Sequence, residues 1–267
     1  MTAGVSNGLV ARLFLLATGF VLALPILATA INAFAGEWSD TLMPTSFTVE
    51  YFLTVINDPR FMASLLRSLA ISGIALALAT VLIVPAIVAA HIYWPALDRW
   101  LARLVILPYA VPAIVLVVGY LRVFSQPPLQ INGTPLVLVL VYVPVCFPMF
   151  YIAVKNSLRA LDINELMDAG HLVGASNMAL LRRVVLPSIL PGIMVAVVLN
   201  FAILFSEFVY AKMLVGGGFE TLQMYMFAQR NLSGRITSVI VLIYFVLLLV
   251  MTLAALGLTR QAERASR

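Results

Sequence analysis

The side chains that could carry chemistry in this sequence are few. Cys146 is the single cysteine, and His91 and His171 are the only histidines. One cysteine excludes both a disulfide framework and a cysteine metal cluster. The two histidines are separated from other candidate ligands, so neither a metal site nor the nucleophile–base arrangement of an intramembrane enzyme is indicated. We interpret both histidines as residues near a membrane interface.

Glu207 is the one acidic residue within a long apolar segment, and it follows Pro187 by 20 positions. That separation is about 30 Å along a helix, which predicts a place near the outer end of a span. Asn200 lies seven positions earlier, on the same helical face. One hypothesis is that Asn200, Glu207 and Tyr210 line a solute pathway, with Glu207 at its outer gate. The alternative is that Glu207 pairs with Lys212, Arg122 or a neighbouring subunit and fixes helix packing.

No G-x-x-x-x-G-K-[ST] pattern occurs in the chain. That pattern builds the backbone cradle and lysine that hold nucleotide phosphates. The chain is therefore predicted to lack its own ATP site of this type and to bind no cofactor.

The elements that position these residues are membrane helices. Hydrophobic residues make up 63% of the 267 positions and charged residues 10%, against roughly 25% charged residues in soluble domains. Six apolar segments are long enough to cross a bilayer, since a spanning helix needs about 20 such residues. They are predicted at about 13–34, 68–91, 104–121, 135–154, 187–213 and 236–259. The first is interpreted as a retained helix rather than a cleaved signal, and residues 1–267 as a single all-α transmembrane domain.

The basic residues predict an orientation. With both termini in the cytoplasm, the inner segments hold ten lysines and arginines and the outer segments six, as the positive-inside rule expects. The inner ten are Arg12, Arg99, Arg103, Lys155, Arg159, Arg182, Arg183, Arg260, Arg264 and Arg267. The net charge of +5 is thus interpreted as a topology signal and not as a nucleic-acid footprint.

The segment 156–186 is a long inner loop with its own helical pattern. Asp162 could cap a helix, with Glu165 reaching back to the first amides. Apolar or small residues then recur at helical spacing on one face. They are Ile163, Leu166, Met167, Gly170 and Val173.

A second short helix is predicted after a glycine hinge in the same loop. Gly174 can adopt the left-handed conformation that often ends a helix, and Ser176 could cap a helix that runs through Arg182 and Arg183. Such an amphipathic pair could lie in the lipid interface. It could also bind another protein, and the order of its residues favours this second interpretation.

The run Asp168-Ala169-Gly170, three residues, Gly174, nine residues, Val184-Val185-Leu186-Pro187 resembles the cytoplasmic signature of bacterial binding-protein-dependent ABC importers. That signature is Glu-Ala-Ala, three residues, Gly, nine residues, Ile, one residue, Leu-Pro. Here aspartate replaces the glutamate and Gly170 the second alanine, while Glu165 fits only if the glycine spacing is abandoned. The stretches LVILPYAVPAIVLVVGY and FSEFVYAKMLVGGGFETLQMYMF also resemble this family's third span and fifth span with its outer loop.

The resemblance implies a type I ABC importer permease fold in the bacterial inner membrane, with residues 162–175 as a coupling helix before the fifth span. The coupling residues it implies are Glu165, Asp168, Ala169, Gly170, Gly174, Ala175, Leu186 and Pro187. It further implies a cytoplasmic ATPase dimer that carries ATP and Mg²⁺, a second permease subunit, and an external solute-binding protein. Substrate class stays open among polyamine, phosphonate and sugar. An ion-coupled secondary transporter is the alternative, which usually needs charged residues near the membrane midplane.

Overall fold

The computed structural model of the protein describes residues 3–38 and 41–265, and in these ranges the fold is built from helices. Arg267, one of the ten inner cations in the orientation argument, lies outside the described residues. The one extended pairing described is an isolated bridge between Ala35 and Phe47. The predicted all-α class is thus confirmed.

Twelve α-helices follow one another along the described chain, and turns of other helical types lie between α9 and α10 and between α10 and α11. They are α1 (Ala3–Phe34), α2 (Glu50–Ile56), α3 (Pro59–Tyr93), α4 (Pro95–Leu104), α5 (Leu107–Ala110), α6 (Ala113–Phe124), α7 (Pro135–Ala160), α8 (Ile163–Leu172), α9 (Asn177–Leu180), α10 (Leu186–Phe205), α11 (Leu222–Gln229) and α12 (Gly234–Ala265). A π-helical turn, Leu181–Val185, joins α9 to α10, so that one unbroken helical run extends from Asn177 to Phe205.

Five helical runs in the described ranges are long and apolar enough to cross a membrane. They are Val10–Phe34, Pro59–Tyr93, Pro135–Ala160, Asn177–Phe205 and Gly234–Ala254. They correspond to five of the six predicted spans. Pro25, Pro85, Pro144, Pro148 and Pro191 lie inside these helices without ending them, as expected where neighbours can satisfy the freed carbonyls.

The predicted span 104–121 is not one helix. The segments Pro95–Ala110 and Ala113–Phe124 are long and apolar enough to cross a membrane only when taken together, and the chain bends by 101° between them. Val111 is extended, with φ −103° and ψ 124°, because the ring of Pro112 disfavours helical backbone at the preceding residue. Since α4 carries exposed Trp100 and is preceded by exposed Trp94, it has the composition of a helix that lies at the membrane interface.

The predicted span 187–213 also differs from the helix observed. The helix begins earlier, at Asn177, and ends at Phe205. Ser206, Glu207 and Phe208 are not helical, and a π-helical turn, Ala211–Val215, follows them. The reason is local: the Glu207 side chain accepts hydrogen bonds from amides further along the chain, as described below, and so begins a new helical turn.

Contacts group the chain into two units, residues 1–62 with 225–247 and residues 63–224 with 248–267. In the second unit, α10 packs along α7, and Gly192 makes the approach possible. A β-carbon on Gly192 would overlap the Ser157 hydroxyl and would lie 3.2 Å from the Ala153 carbonyl oxygen. The core of this unit includes fully buried Cys146, Phe150 and other side chains of α7.

Candidate functional site

The inner loop folds as a helical hairpin, with α8 followed by α9. Ile163 and Met167, one turn apart, are buried on the inward face of α8. One turn further on, Gly170 faces the side chain of Leu180, which is itself buried, so closely that a β-carbon on Gly170 would overlap the Leu180 methyl groups. The glycine in the second alanine position therefore allows the two arms of the hairpin to touch.

The apolar stripe predicted for this helix is narrower than expected. Leu166 is 39% exposed and Val173 84% exposed, because only the Ile163–Met167–Gly170 line faces the protein and Val173 lies beyond the last helical residue. The predicted capping by Asp162 is also wrong. Its side chain makes no capping hydrogen bond, and its backbone carbonyl accepts the Leu166 amide at 3.0 Å as in any helix.

The turn between the arms is closed by a Schellman motif. Gly174 has φ +80°, in the left-handed region that glycine occupies without penalty. Its amide donates to the His171 carbonyl at 3.0 Å, and the Ala175 amide donates to the Gly170 carbonyl at 3.0 Å. These two bonds satisfy carbonyls that a helix end leaves without partners. The left-handed turn predicted at Gly174 is confirmed.

The second arm of the hairpin, α9, begins with the serine cap that the sequence predicts. A further contact, which was not predicted from the sequence, ties α9 to α8. The Ser176 hydroxyl accepts the Ala179 amide at 3.3 Å, which is the usual arrangement of a serine N-cap. The His171 Nε2 atom lies 2.6 Å from the Asn177 Oδ1 atom. His171 is therefore part of the hairpin itself, where its ring joins the end of α8 to the start of α9.

Several predicted coupling residues share the exposed surface of this hairpin. Glu165, Asp168 and Ala169 are exposed on α8, Gly174 is exposed at the turn, and Gly170 and Ala175 are partly covered. Leu172 at the tip is 89% exposed, as open as its neighbour Val173. Neighbouring exposed apolar side chains of this size are typical of a surface that contacts another protein or a membrane.

Leu186 and Pro187, the last two residues of the signature, lie at the start of α10 and are exposed. The π-helical turn Leu181–Val185 immediately precedes them. Proline has no amide to donate and its ring crowds the carbonyl four residues earlier, and a widened turn relieves that conflict. The Leu-Pro pair is therefore placed in the continuous helix above the hairpin and not within the hairpin.

Glu207 occupies a different kind of site from the predicted one, because it lies at a break in the helical run. Its Oε1 atom accepts the Tyr210 amide at 2.8 Å, and its Oε2 atom accepts the Ala211 amide at 3.1 Å. The Tyr142 hydroxyl of α7 donates to Oε2 at 3.1 Å. These described partners are a tyrosine and two amides, rather than the Lys212 or Arg122 predicted for a packing role.

Asn200 and Tyr210 do not form an exposed lining with Glu207. Asn200 is fully buried on the α10 face that also buries Ile193 and Ala196, and its amide nitrogen and oxygen have no hydrogen-bond partner among the described residues. Tyr210 is 5% exposed, with its ring edge-on to Tyr120 at 6.2 Å between centroids. The predicted shared face is lost because the helix ends between Asn200 and Glu207.

Within residues 3–38 and 41–265, no group of three or more His, Cys, Asp and Glu side chains is placed to hold a metal ion.

Comparisons with known proteins agree with the architecture. The chain is 28% identical over 233 residues to a Salmonella typhimurium protein named as the 2-aminoethylphosphonate transport system permease PhnV, covering 86% of this chain and 87% of that one. It is 22% identical over 260 residues to the Escherichia coli spermidine/putrescine transport system permease PotC, covering 95% of each.

Solved structures share the fold at low sequence identity. A bacterial ABC transporter for import of the acidic polysaccharide alginate matches with a TM-score of 0.73 and 18% identity, covering 96% of this chain and 97% of that chain. The MetNI methionine ABC transporter matches with a TM-score of 0.63 and 19% identity, covering 77% and 99%. The family model described as binding-protein-dependent transport system inner membrane component matches residues 83–266. The protein therefore belongs to that family of multi-pass membrane permease subunits.

Proposed function

We propose that this permease subunit couples solute import to a separate cytoplasmic ATPase dimer through the α8–α9 hairpin. The observation that carries the proposal is the hairpin itself, whose turn is closed by Gly174 and whose tip exposes Leu172 and Val173. A folded hairpin loses little conformational entropy on binding, and an amphipathic helix can lie with its apolar residues in a groove. ATP and Mg²⁺ would be held by the ATPase, not by this chain.

The remaining partners follow from the family to which the chain belongs. A second permease subunit, identical or homologous, would complete the pathway, and an external binding protein would deliver the solute. The exposed apolar length of α1, including Phe14 and Leu16, is suited to lipid or to such a subunit. Within the hairpin, the exposed Glu165, Asp168 and Ala169 would face the ATPase groove, whereas Gly170 and Ala175 shape the hairpin from behind.

The proposed substrate is a small solute that carries an ammonium group. The solutes in the names of PhnV and PotC, 2-aminoethylphosphonate and spermidine or putrescine, share that group. Asn200 and Tyr210 remain our candidates for the pathway, to be exposed in a different conformation of the transport cycle. The three hydrogen bonds on Glu207 favour a role in positioning the break after α10 over direct contact with a cation.

The proposed orientation has both termini in the cytoplasm, with the hairpin on that side. A cysteine in place of Leu42, which is 96% exposed, should react with an impermeant thiol reagent from outside intact cells. A cysteine in place of exposed Arg99 should react only after the membrane is permeabilised. The reverse labelling pattern would overturn both the orientation and the role of the hairpin.

Copurification with the ATPase tests the coupling proposal directly. Leu172→Asp, or the same change at Val173, should abolish copurification of the ATPase with this chain and stop ATP-dependent transport in proteoliposomes. Leu232→Asp is the matched control, because Leu232 is 79% exposed but lies on the predicted outer side. Full ATPase binding by both tip variants would refute the proposal. Uptake driven by an ion gradient without ATP would instead support the secondary-transporter alternative.

A further inference from the structure

Three charged or titratable side chains from three helices meet in a cluster, formed by His91, Asp98 and Lys155. The Lys155 Nζ atom lies 2.7 Å from the Asp98 Oδ2 atom and 2.7 Å from the His91 Nδ1 atom. The Asp98 and His91 atoms are themselves 3.5 Å apart. The lysine side chain is 6% exposed, against 22% for the aspartate. Lys155 is therefore the buried centre of the cluster, and its two partners form the rim.

The cluster joins two parts of the fold. One is α7, which leads into the hairpin, and the other is the junction of α3 and α4 at Trp94, which we call the α3–α4 elbow. Lys155 is on the last two turns of α7, which ends at Ala160, and α8 begins at Ile163. His91 is near the end of α3, and Asp98 is on α4 just beyond the break at Trp94. The cluster thus links the helix that precedes the hairpin to this elbow by direct side-chain contacts.

A buried charge of this kind is a poor source of stability. Removing a lysine from water costs several kcal/mol, and the attraction of its partners roughly repays that cost. Replacing a buried ion pair by well-packed apolar residues is often neutral or stabilising. The better attested role of such a pair is to fix the alignment of the elements it joins or to act as a conformational switch. The Asp98 Oδ1 atom is buried without a partner among the described residues, so the cluster is not fully satisfied in this conformation.

We propose that the Lys155 cluster is a positioning lock that makes α7 and the α3–α4 elbow move together when the hairpin is displaced. The proposal rests on the proposed function, because the hairpin must first be driven by an ATPase. Lys155 donates hydrogen bonds to both other helices, so the intact cluster transmits movement of α7 to α3 and α4. With the lysine removed, α7 can move without the elbow, and ATP hydrolysis proceeds without opening the pathway.

The experiment measures solute transported per ATP hydrolysed by the complete complex in proteoliposomes. Lys155→Met should leave ATPase copurification intact and lower this ratio at least fivefold. Arg99→Met is the matched control, because it removes a positive charge from the exposed residue beside Asp98 and should leave the ratio unchanged. Lys155→Arg, which keeps the charge, should retain most of the coupling.

The double variant Lys155→Met with Asp98→Leu separates a lock from a merely structural cluster. It leaves no unpaired carboxylate, so its thermal stability should approach that of the wild type while the transport ratio stays low. Recovery of the ratio together with stability would overturn the proposal, as would normal coupling in Lys155→Met or failure of the double variant to assemble in the membrane. Failure of the wild-type chain to bind an ATPase would instead refute the proposed function.

Discussion

The side chain of Leu180 lies directly against Gly170, so that the two arms of the hairpin meet where α8 has no side chain. The contact involves the ends of the leucine methyl groups, which can rotate aside by a small amount. The hairpin should therefore tolerate a methyl group at position 170 but not a full side chain.

We expect Gly170→Leu to destabilise the hairpin by about 1–3 kcal/mol, the usual range for overpacking. Gly170→Ala should be close to neutral, because the gain of about 1 kcal/mol in helix propensity offsets the displacement of Leu180. Hydrogen–deuterium exchange across residues 163–180 is the measurement. Adding Leu180→Ala to Gly170→Leu should restore slow exchange, and a double variant as labile as the single one would contradict this packing argument.

Gly174→Val should uncouple ATP hydrolysis from transport without removing the protein from the membrane. The φ of +80° costs an ordinary residue about 1–2 kcal/mol, and a β-branched residue tolerates it least. Because a β-carbon at Gly174 would meet nothing within 4 Å in the described part of the chain, the penalty we expect is backbone strain. Gly174→Asn should retain more coupling than Gly174→Val, since asparagine visits this region more readily.

Gly119→Val serves as the control for this effect. A β-carbon there also meets nothing within 4 Å, and no left-handed φ is involved. Transport per ATP should then fall only for the variant at position 174. Equal losses at both positions would show that the added bulk, and not the turn, is responsible.

Glu207→Gln should loosen the segment after α10 while leaving the complex assembled. The amide side chain keeps one acceptor oxygen for the two amides of Tyr210 and Ala211, so we expect a loss of about 0.5–2 kcal/mol, as for a weakened N-cap. Tyr142→Phe removes the third hydrogen bond on Glu207. Both variants should lower the rate of transport, and Tyr142→Phe should lower it less than Glu207→Gln. If Glu207→Gln changes solute preference while Tyr142→Phe has no effect, direct solute contact is the better explanation.

Asp58 and Tyr225 give a pH-dependent contribution to stability within the first unit. The Tyr225 hydroxyl donates to the Asp58 Oδ2 atom at 2.5 Å, and the Arg60 amide donates to Oδ1 at 2.8 Å. Burial alone raises the pKa of Asp58, but these bonds and the Arg60 charge together lower that pKa below its ordinary value of 3.8. A lowered pKa stabilises the fold above the unfolded value, and this contribution is lost as the pH falls through the folded value.

We therefore expect Asp58→Asn to lower the thermal midpoint in detergent at pH 7. The corresponding loss of folding free energy should be about 1.5 kcal/mol, the lower end for a hydrogen bond to a charged group. The gap between variant and wild type should close as the pH is reduced from 4 toward the folded pKa. Tyr225→Phe should lower the midpoint in the same direction. A gap that is constant with pH would show that ionisation of Asp58 contributes nothing.

Short-range features of this protein could be predicted from its sequence. The lengths of the apolar segments predict five of the spans. Gly174 predicts the turn between α8 and α9, and Ser176 predicts the N-cap of α9. These features could be predicted because each of them depends on a few neighbouring residues. The break at Pro112 could not be predicted in this way. Pro85 and Pro191 lie inside helices that continue, so the presence of a proline does not by itself predict a break.

Long-range pairings were beyond the sequence pattern. Tyr142 and Glu207 are 65 positions apart, and opposite charge alone suggested Lys212 and Arg122 as partners instead. Lys155 resembled any other inner cation in the orientation count, and His91 resembled an interfacial residue. Their pairing depends on how α3, α4 and α7 pack, which hydrophobic periodicity does not specify.

The bend at Val111 and Pro112 leaves α6 with 12 residues, which is about 18 Å of helix. The hydrocarbon layer of a typical bilayer is about 30 Å thick. Lipids next to α6 must therefore thin, or polar groups near the bend must draw water inward, at a cost that rises with each ångström of mismatch. We therefore expect the length of the lipid acyl chains to affect activity, with faster transport in proteoliposomes of thin bilayers than in thick ones of the same headgroup.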